Sequence, residues 1–110
     1  MANTFKLKTK AAVTTLATVY TVPSSTTAIV LGLVIGNTTS SAITSTITLA
    51  SDTSDTETNV NVEIITNAAI PANSSLEVMG GNKIVMQTTD YIRVYGSDSV
   101  DVCLSIMEIT

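Results

Sequence analysis

Residues 75–110 read SLEVMGGNKIVMQTTDYIRVYGSDSVDVCLSIMEIT, with apolar and polar side chains alternating between short, regularly spaced turns. A period of two sends successive side chains to opposite faces, so this is the pattern of strands with one buried face and not of an amphipathic helix. No helical or catalytic motif competes with it. The composition agrees: Val, Ile, Thr and Ser dominate, and only 4% of the residues are aromatic. β-Branched side chains are stiff at χ1 and pack well on a pleated surface.

Taken in order, the chain carries the same punctuation throughout. Residues 1–10 are polar and basic and read as an extended arm. Residues 11–22 form the first β-rich segment, with Val13, Leu16, Val19, Tyr20 and Val22; the imperfect alternation predicts a bulge or an edge position. Pro23-Ser24-Ser25 ends it, because proline cannot donate to a ladder. Residues 26–36 are the most apolar. Strict alternation puts Ile29, Leu31, Leu33 and Ile35 on one face and Val30 and Val34 on the other. Apolar residues on both faces predict a central strand, or one whose outer face meets another subunit.

Residues 42–50 alternate cleanly, Ile43, Ser45, Ile47 and Leu49 inward and Thr44, Thr46 and Thr48 outward. An acidic loop follows, and then Val60, Val62 and Ile64 make one face of a further strand. Gly80-Gly81-Asn82 reads as a tight hairpin between residues 76–79 and 83–87, since glycine takes positive φ cheaply. Tyr91, Arg93 and Tyr95 oppose Ile92 and Val94, and the last strand carries a stripe of Val100, Val102, Leu104 and Ile106. About eight strands at spacings of roughly 8–12 residues make an antiparallel β-sandwich, residues 11–110 forming one domain. Strand number favours a jelly roll. An immunoglobulin-like sandwich is the alternative, although its Cys…Trp…Cys signature is absent.

The residue inventory narrows the chemistry. With no histidine and one cysteine, Cys103, the chain has no Ser-His-Asp or Cys-His arrangement, no usual zinc site and no intrachain disulfide. Gly80-Gly81-Asn82-Lys83 lacks the spacing of a phosphate-binding loop. Nine acids would allow a glycosidase pair, but nothing in the sequence pairs them. Asp52, Asp55 and Glu57 do not match a calcium-loop spacing and read as a solvated acidic loop. Cys103 reads as a small packed residue, and Asn37-Thr38-Thr39 and Asn73-Ser74-Ser75 fit the glycosylation sequon. The expectation is therefore a non-enzyme with no cofactor and no metal.

Net charge is −4, yet Lys6, Lys8 and Lys10 are three of the five basic residues. An acidic body disfavours nucleic acid, and no apolar run is long enough to span a membrane. Thr14, Thr15, Thr18 and Thr21 interrupt any signal-like core, so the chain is expected to be made and retained in a cytoplasm.

One resemblance stands beside these readings. Tyr20-Thr21-Val22-Pro23, Thr27-Ala28-Ile29-Val30-Leu31-Gly32-Leu33 and Asn37-Thr38-Thr39 are followed by Ile70-Pro71-Ala72 and Ser75-Leu76-Glu77-Val78. Gly81-Asn82-Lys83-Ile84-Val85-Met86, Asp90-Tyr91-Ile92-Arg93-Val94 and Leu104-Ser105-Ile106-Met107-Glu108-Ile109 complete the order. Together they resemble small virion structural proteins of tailed bacteriophages, especially those infecting cyanobacteria. The resemblance implies a non-enzymatic particle component made in the host cytoplasm and resident in the virion. It would be a capsid cement or decoration protein partnered by the major capsid protein or other virion proteins, or a neck, tail or fibre component. The expected contacts are Lys6, Lys8, Lys10, Ile29, Val30 and Val34, and the expected state is a homo-oligomer, a trimer. A module binding a carbohydrate or host surface would instead stack sugars on Tyr20, Tyr91 and Tyr95.

Overall fold

The computed structural model describes residues 2–51, 61–79 and 83–110. Nine strands appear among them: β1 (Asn3–Val13), β2 (Ala17–Thr21), β3 (Thr27–Asn37), β4 (Ile43–Ala50), β5 (Asn61–Ile70), β6 (Ser75–Glu77), β7 (Ile84–Met86), β8 (Tyr91–Gly96) and β9 (Val100–Ile109). They form two sheets, β1-β9-β3-β6 with β7 also on β3, and β2-β8-β4-β5. Every pairing is antiparallel.

The topology is that of a folded ribbon rolled up. β1 pairs β9, β2 pairs β8, β3 pairs β6 and β7, and β4 pairs β5. Rolling that ribbon brings β3 against β9 and β4 against β8, which splits it into two sheets. Counted with β6 and β7 as one interrupted strand, this is an eight-stranded jelly roll. The immunoglobulin order, in which the first strand pairs the second, does not fit, because β1 pairs β9 while β2 lies in the other sheet.

Leu33, Ile35, Ile47, Ile70, Met86, Ile92, Leu104 and Ile106 are fully buried between the sheets. Burying a side chain of this size contributes about 1.5–3 kcal/mol. The alternation predicted in β8 and β9 holds: Ile92 and Val94, and Val100, Val102, Leu104 and Ile106, are buried. So do Ile43, Ser45 and Ile47 in β4, where the Ser45 hydroxyl donates to the Tyr95 carbonyl at 2.7 Å.

Several expectations are corrected. Residues 3–10 are not an arm but most of β1, paired with β9 from Asn3↔Ile109 to Lys10↔Val102. Reciprocal bonds between the Ala2 and Thr110 backbones, at 3.1 and 2.9 Å, extend that pairing. The segment read as one strand over residues 11–22 is two pieces, the end of β1 and an edge strand β2. Both carry the predicted irregularity, with register shifts at Lys10/Val13 and Thr18/Tyr20. At the first of these, Ala12 takes φ 54° and its N–H donates to Asp101 Oδ1 at 2.9 Å, so that Val13 turns inward.

β3 also changes phase. A register shift between Val30 and Gly32 lets Ala28 and Val30 point inward before it and Leu33 and Ile35 after it. One extra residue reverses every later side chain, which strict alternation does not foresee. The hairpin expected at Gly80-Gly81-Asn82 has its turn outside the described residues, as does Val60. Its flanking strands do not pair with each other: β6 sits on residues 34–36 of β3 and β7 on residues 28–30.

The β8–β9 turn depends on Gly96. A Cβ there would lie 2.6 Å from the Asp98 carbonyl, 2.8 Å from Val100 Cγ2 and 2.9 Å from the Val13 carbonyl. Two of those neighbours are backbone and cannot swing away. Gly96→Ala is therefore expected to lower stability by about 2–4 kcal/mol, read from urea unfolding. A loss under about 0.5 kcal/mol, the range of an unconstrained surface change, would refute the close approach.

Candidate interaction surface

The outer face of the five-stranded sheet carries an apolar row across its whole width. Phe5 stands opposite Met107, Met107 opposite Ile29, and Ile29 opposite Val85. The two ends of the row project most, Phe5 at 72% and Val85 at 63% exposure, while Met107 and Ile29 are half-buried between them. Leu7, 63% exposed, is next along β1. Farther along the strands the surface dips into an open, shallow cavity of about 370 Å³. Thr9, Ala11, Val34, Gly36 and Cys103 are among its lining residues, and its wall is mainly apolar. Small side chains make the dip. The outer face of the other sheet is different: Thr44, Thr46 and Thr48 are half-buried beside Tyr91, Arg93 and Tyr95, and the Arg93 guanidinium lies 4.8 Å from the Tyr91 ring centre.

The lysines of β1 alternate with Phe5 and Leu7 and so take the inner phase. Lys6 Nζ lies 2.7 Å from Glu108 Oε1, and the Tyr20 hydroxyl donates to Glu108 Oε2 at 2.5 Å. Glu108 is 4% exposed, and this cluster ties β1 and β9 to β2 of the opposite sheet. The bonds from Lys6 and Tyr20 hold the Glu108 carboxyl below its ordinary pKa, against the opposing effect of burial. Burial, then the bond to Glu108, pushes the Tyr20 phenol above its usual value. Lys8 Nζ sits 5.9 Å from the Tyr20 ring centre.

The expected contact residues thus separate. Val34 is exposed on the outer face and Ile29 belongs to the apolar row. Val30 is fully buried in the core, because the β3 bulge turns it inward, and it offers no contact. Lys6 is held by Glu108, Lys8 lies over Tyr20, and Lys10 borders the cavity. Phe5, Leu7, Val85 and Met107 were not anticipated. The signal for the first two was present, since FKLK alternates strictly once it is read as a strand.

Other expected features are redistributed. Tyr20 is buried and bonded to Glu108, so only Tyr91 and Tyr95 remain as stacking candidates. Cys103 is exposed rather than packed, because β9 turns it to the outer face. Asn37 is 3% exposed, and its amide nitrogen donates to the carbonyls of Ser41, Ile70 and Pro71 at 2.8, 3.0 and 3.1 Å. That leaves its sequon closed to a glycosylating enzyme in the folded chain, whereas Asn73 is exposed. The loop of Asp52, Asp55 and Glu57 lies outside the described residues. Among the described residues no group of three or more acidic, cysteine or histidine side chains could hold a metal ion.

Comparison with known proteins adds one structural likeness. No family model and no curated protein matches the chain. The chain is similar to a solved structure described as "Bacillus endospore appendages form a novel family of disulfide-linked pili". The identity is 15%, the match covers 96% of this chain and 85% of that one, and the TM-score is 0.45.

Proposed function

We propose that this chain is a non-enzymatic structural subunit of a larger particle, working through the outer face of its five-stranded sheet. The observation that carries this reading is the row Phe5–Met107–Ile29–Val85, an apolar band spanning the sheet from edge to edge with both ends projecting. A free chain gains nothing by leaving such a band in water; against a protein surface it is removed from solvent at about 25 cal/mol per Å². The jelly roll itself is no argument, since capsid proteins, lectins and cupins all use it.

The particle in this reading is a tailed-phage virion, from the sequence resemblance, and the role is head cement or decoration beside the major capsid protein. Quantitative mass spectrometry of purified virions tests it. Hundreds of copies per particle, counted against the major capsid protein, are expected. A few copies would move the chain to the neck, tail or fibres, and absence from the particle would overturn the reading.

A further inference from the structure

We infer that the outer face of the five-stranded sheet binds a second copy of this chain, forming a closed two-fold pair. This rests on the reading of that face as a contact surface and names its occupant.

Two observations point to a copy rather than to an unrelated partner. The first is shape. One face carries both a ridge, the Phe5–Met107–Ile29–Val85 row, and a dip lined by Thr9, Cys103, Val34 and Gly36. The two are displaced along the strands, from Phe5 to Thr9 on β1 and from Ile29 to Val34 on β3. A two-fold axis lying in the interface, across the strands, keeps each strand over its own copy and reverses strand direction. The ridge of each copy then lies over the dip of the other, the self-complementary arrangement an isologous contact requires. The axis passes near Gly32, which pairs with Ser105 opposite Leu7 and where a Cβ would meet nothing within 4 Å.

The second is size. Four strand lanes about 4.8 Å apart and some ten residues long at about 3.3 Å each give roughly 600 Å² of projected face per copy. That is near the ~800 Å² of accessible surface each partner buries in a standard interface. Pairing β1 edge to edge with a second β1 is the competing self-association. Centred on Lys8, it would set Lys8 against Lys8 and Lys6 against Lys10 of the other copy, and like charges at a strand edge oppose such pairing.

Sedimentation equilibrium of the isolated chain over a wide concentration range tests the inference. It is read together with the rate at which iodoacetamide alkylates Cys103, which borders the dip. The expected result is a monomer–dimer equilibrium, with alkylation slowing as dimer accumulates. Phe5→Ser, at the ridge, and Gly36→Leu, in the dip, are each expected to weaken the dimer about tenfold or more. A Cβ is accommodated at Gly36, its position lying 3.9 Å from the Asp101 carbonyl, the nearest atom outside the flanking residues. Unfolding curves for both variants check that they remain folded.

A chain that stays monomeric, forms trimers or open series, or dimerises with either folded variant unaffected overturns the inference. So does a dimer whose Cys103 alkylates as fast as the monomer's. The virion reading fails separately. A dimer absent from purified virions removes the particle and keeps the pair. A monomer abundant in virions, displaced from them by Phe5→Ser, keeps the particle and gives the face to another virion protein.

Discussion

Asn37→Ala is expected to cost about 3–5 kcal/mol, a large share of the ~5–15 kcal/mol that holds a domain of this size together. The amide closes the end of the sandwich where β3 leaves its sheet. Its nitrogen donates to three carbonyls, Ser41, Ile70 and Pro71, and its oxygen accepts from the Thr39 N–H and hydroxyl at 2.9 and 2.7 Å. Alanine removes all five contacts at once, and the buried carbonyl of Ile70 in particular loses a partner that solvent does not readily replace. Asn37→Asp should be worse. It keeps the acceptor for Thr39 but turns a carboxylate oxygen toward the three carbonyls that the amide had satisfied. Urea unfolding of both variants beside the parent is the measurement. A loss below about 1 kcal/mol for Asn37→Ala, the worth of one ordinary bond, would mean the amide does not organise this corner.

The second large effect concerns Glu108. Glu108→Ala is expected to cost about 2–4 kcal/mol, because it strands the buried Tyr20 hydroxyl and releases Lys6. The Lys6 side chain is 43% exposed and returns to water, so most of the loss lies with Tyr20. The same cluster makes stability depend on pH. Bonds from Lys6 and Tyr20 lower the folded-state pKa of Glu108 beneath its ordinary 4.5. A carboxyl whose pKa is depressed by folding contributes stability fully above its unfolded pKa and loses it as pH falls through the folded value. Stability should therefore decline as pH is lowered below about 4.5, and the Glu108→Gln variant should show a flatter acid limb. Thermal unfolding followed from neutral pH into acid compares the two. Parallel pH profiles would mean that Glu108 titrates alike in the folded and unfolded chain. The variant also separates charge from hydrogen bonding, since Gln keeps an acceptor for Tyr20.

Both predictions fall on residues whose importance is not visible as pattern. Asn37 reads as the first residue of a polar loop, and Glu108 as one more acid near the C-terminus. Each matters because folding carries it to groups far away in the chain: Ile70 and Pro71 for Asn37, Tyr20 and Lys6 for Glu108. Sequence spacing holds no trace of such pairs.

The candidate contact surface was partly legible. Residues 26–36 are apolar on both faces, which leads to the expectation of an apolar outer face, but strict alternation separates Ile29 from Val34, whereas the β3 bulge brings both to that face. Phe5 and Leu7 were overlooked because three lysines in five residues look like a solvated terminus. As an edge strand the same residues divide, Lys6 and Lys8 toward Glu108 and Tyr20, Phe5 and Leu7 outward. Val30 turns inward, against strict alternation, for a local reason. A bulge adds one residue to β3, and a period of two has no memory across such an insertion.

Residue type and alternation alone make the chain all-β, bury the faces that β4, β8 and β9 bury, and leave no histidine- or zinc-centred chemistry available. Side-chain alternation and residue type are local properties, and they survive whatever the distant parts of the chain do. Folding, and no local pattern, pairs the two ends of the chain and sets β6 and β7 along one edge of β3. It also lines up four apolar side chains from β1, β9, β3 and β7 in a single row. Those are facts of register between strands as many as 106 residues apart, from Asn3↔Ile109, and register is set by the packing of the whole sandwich rather than by any one segment.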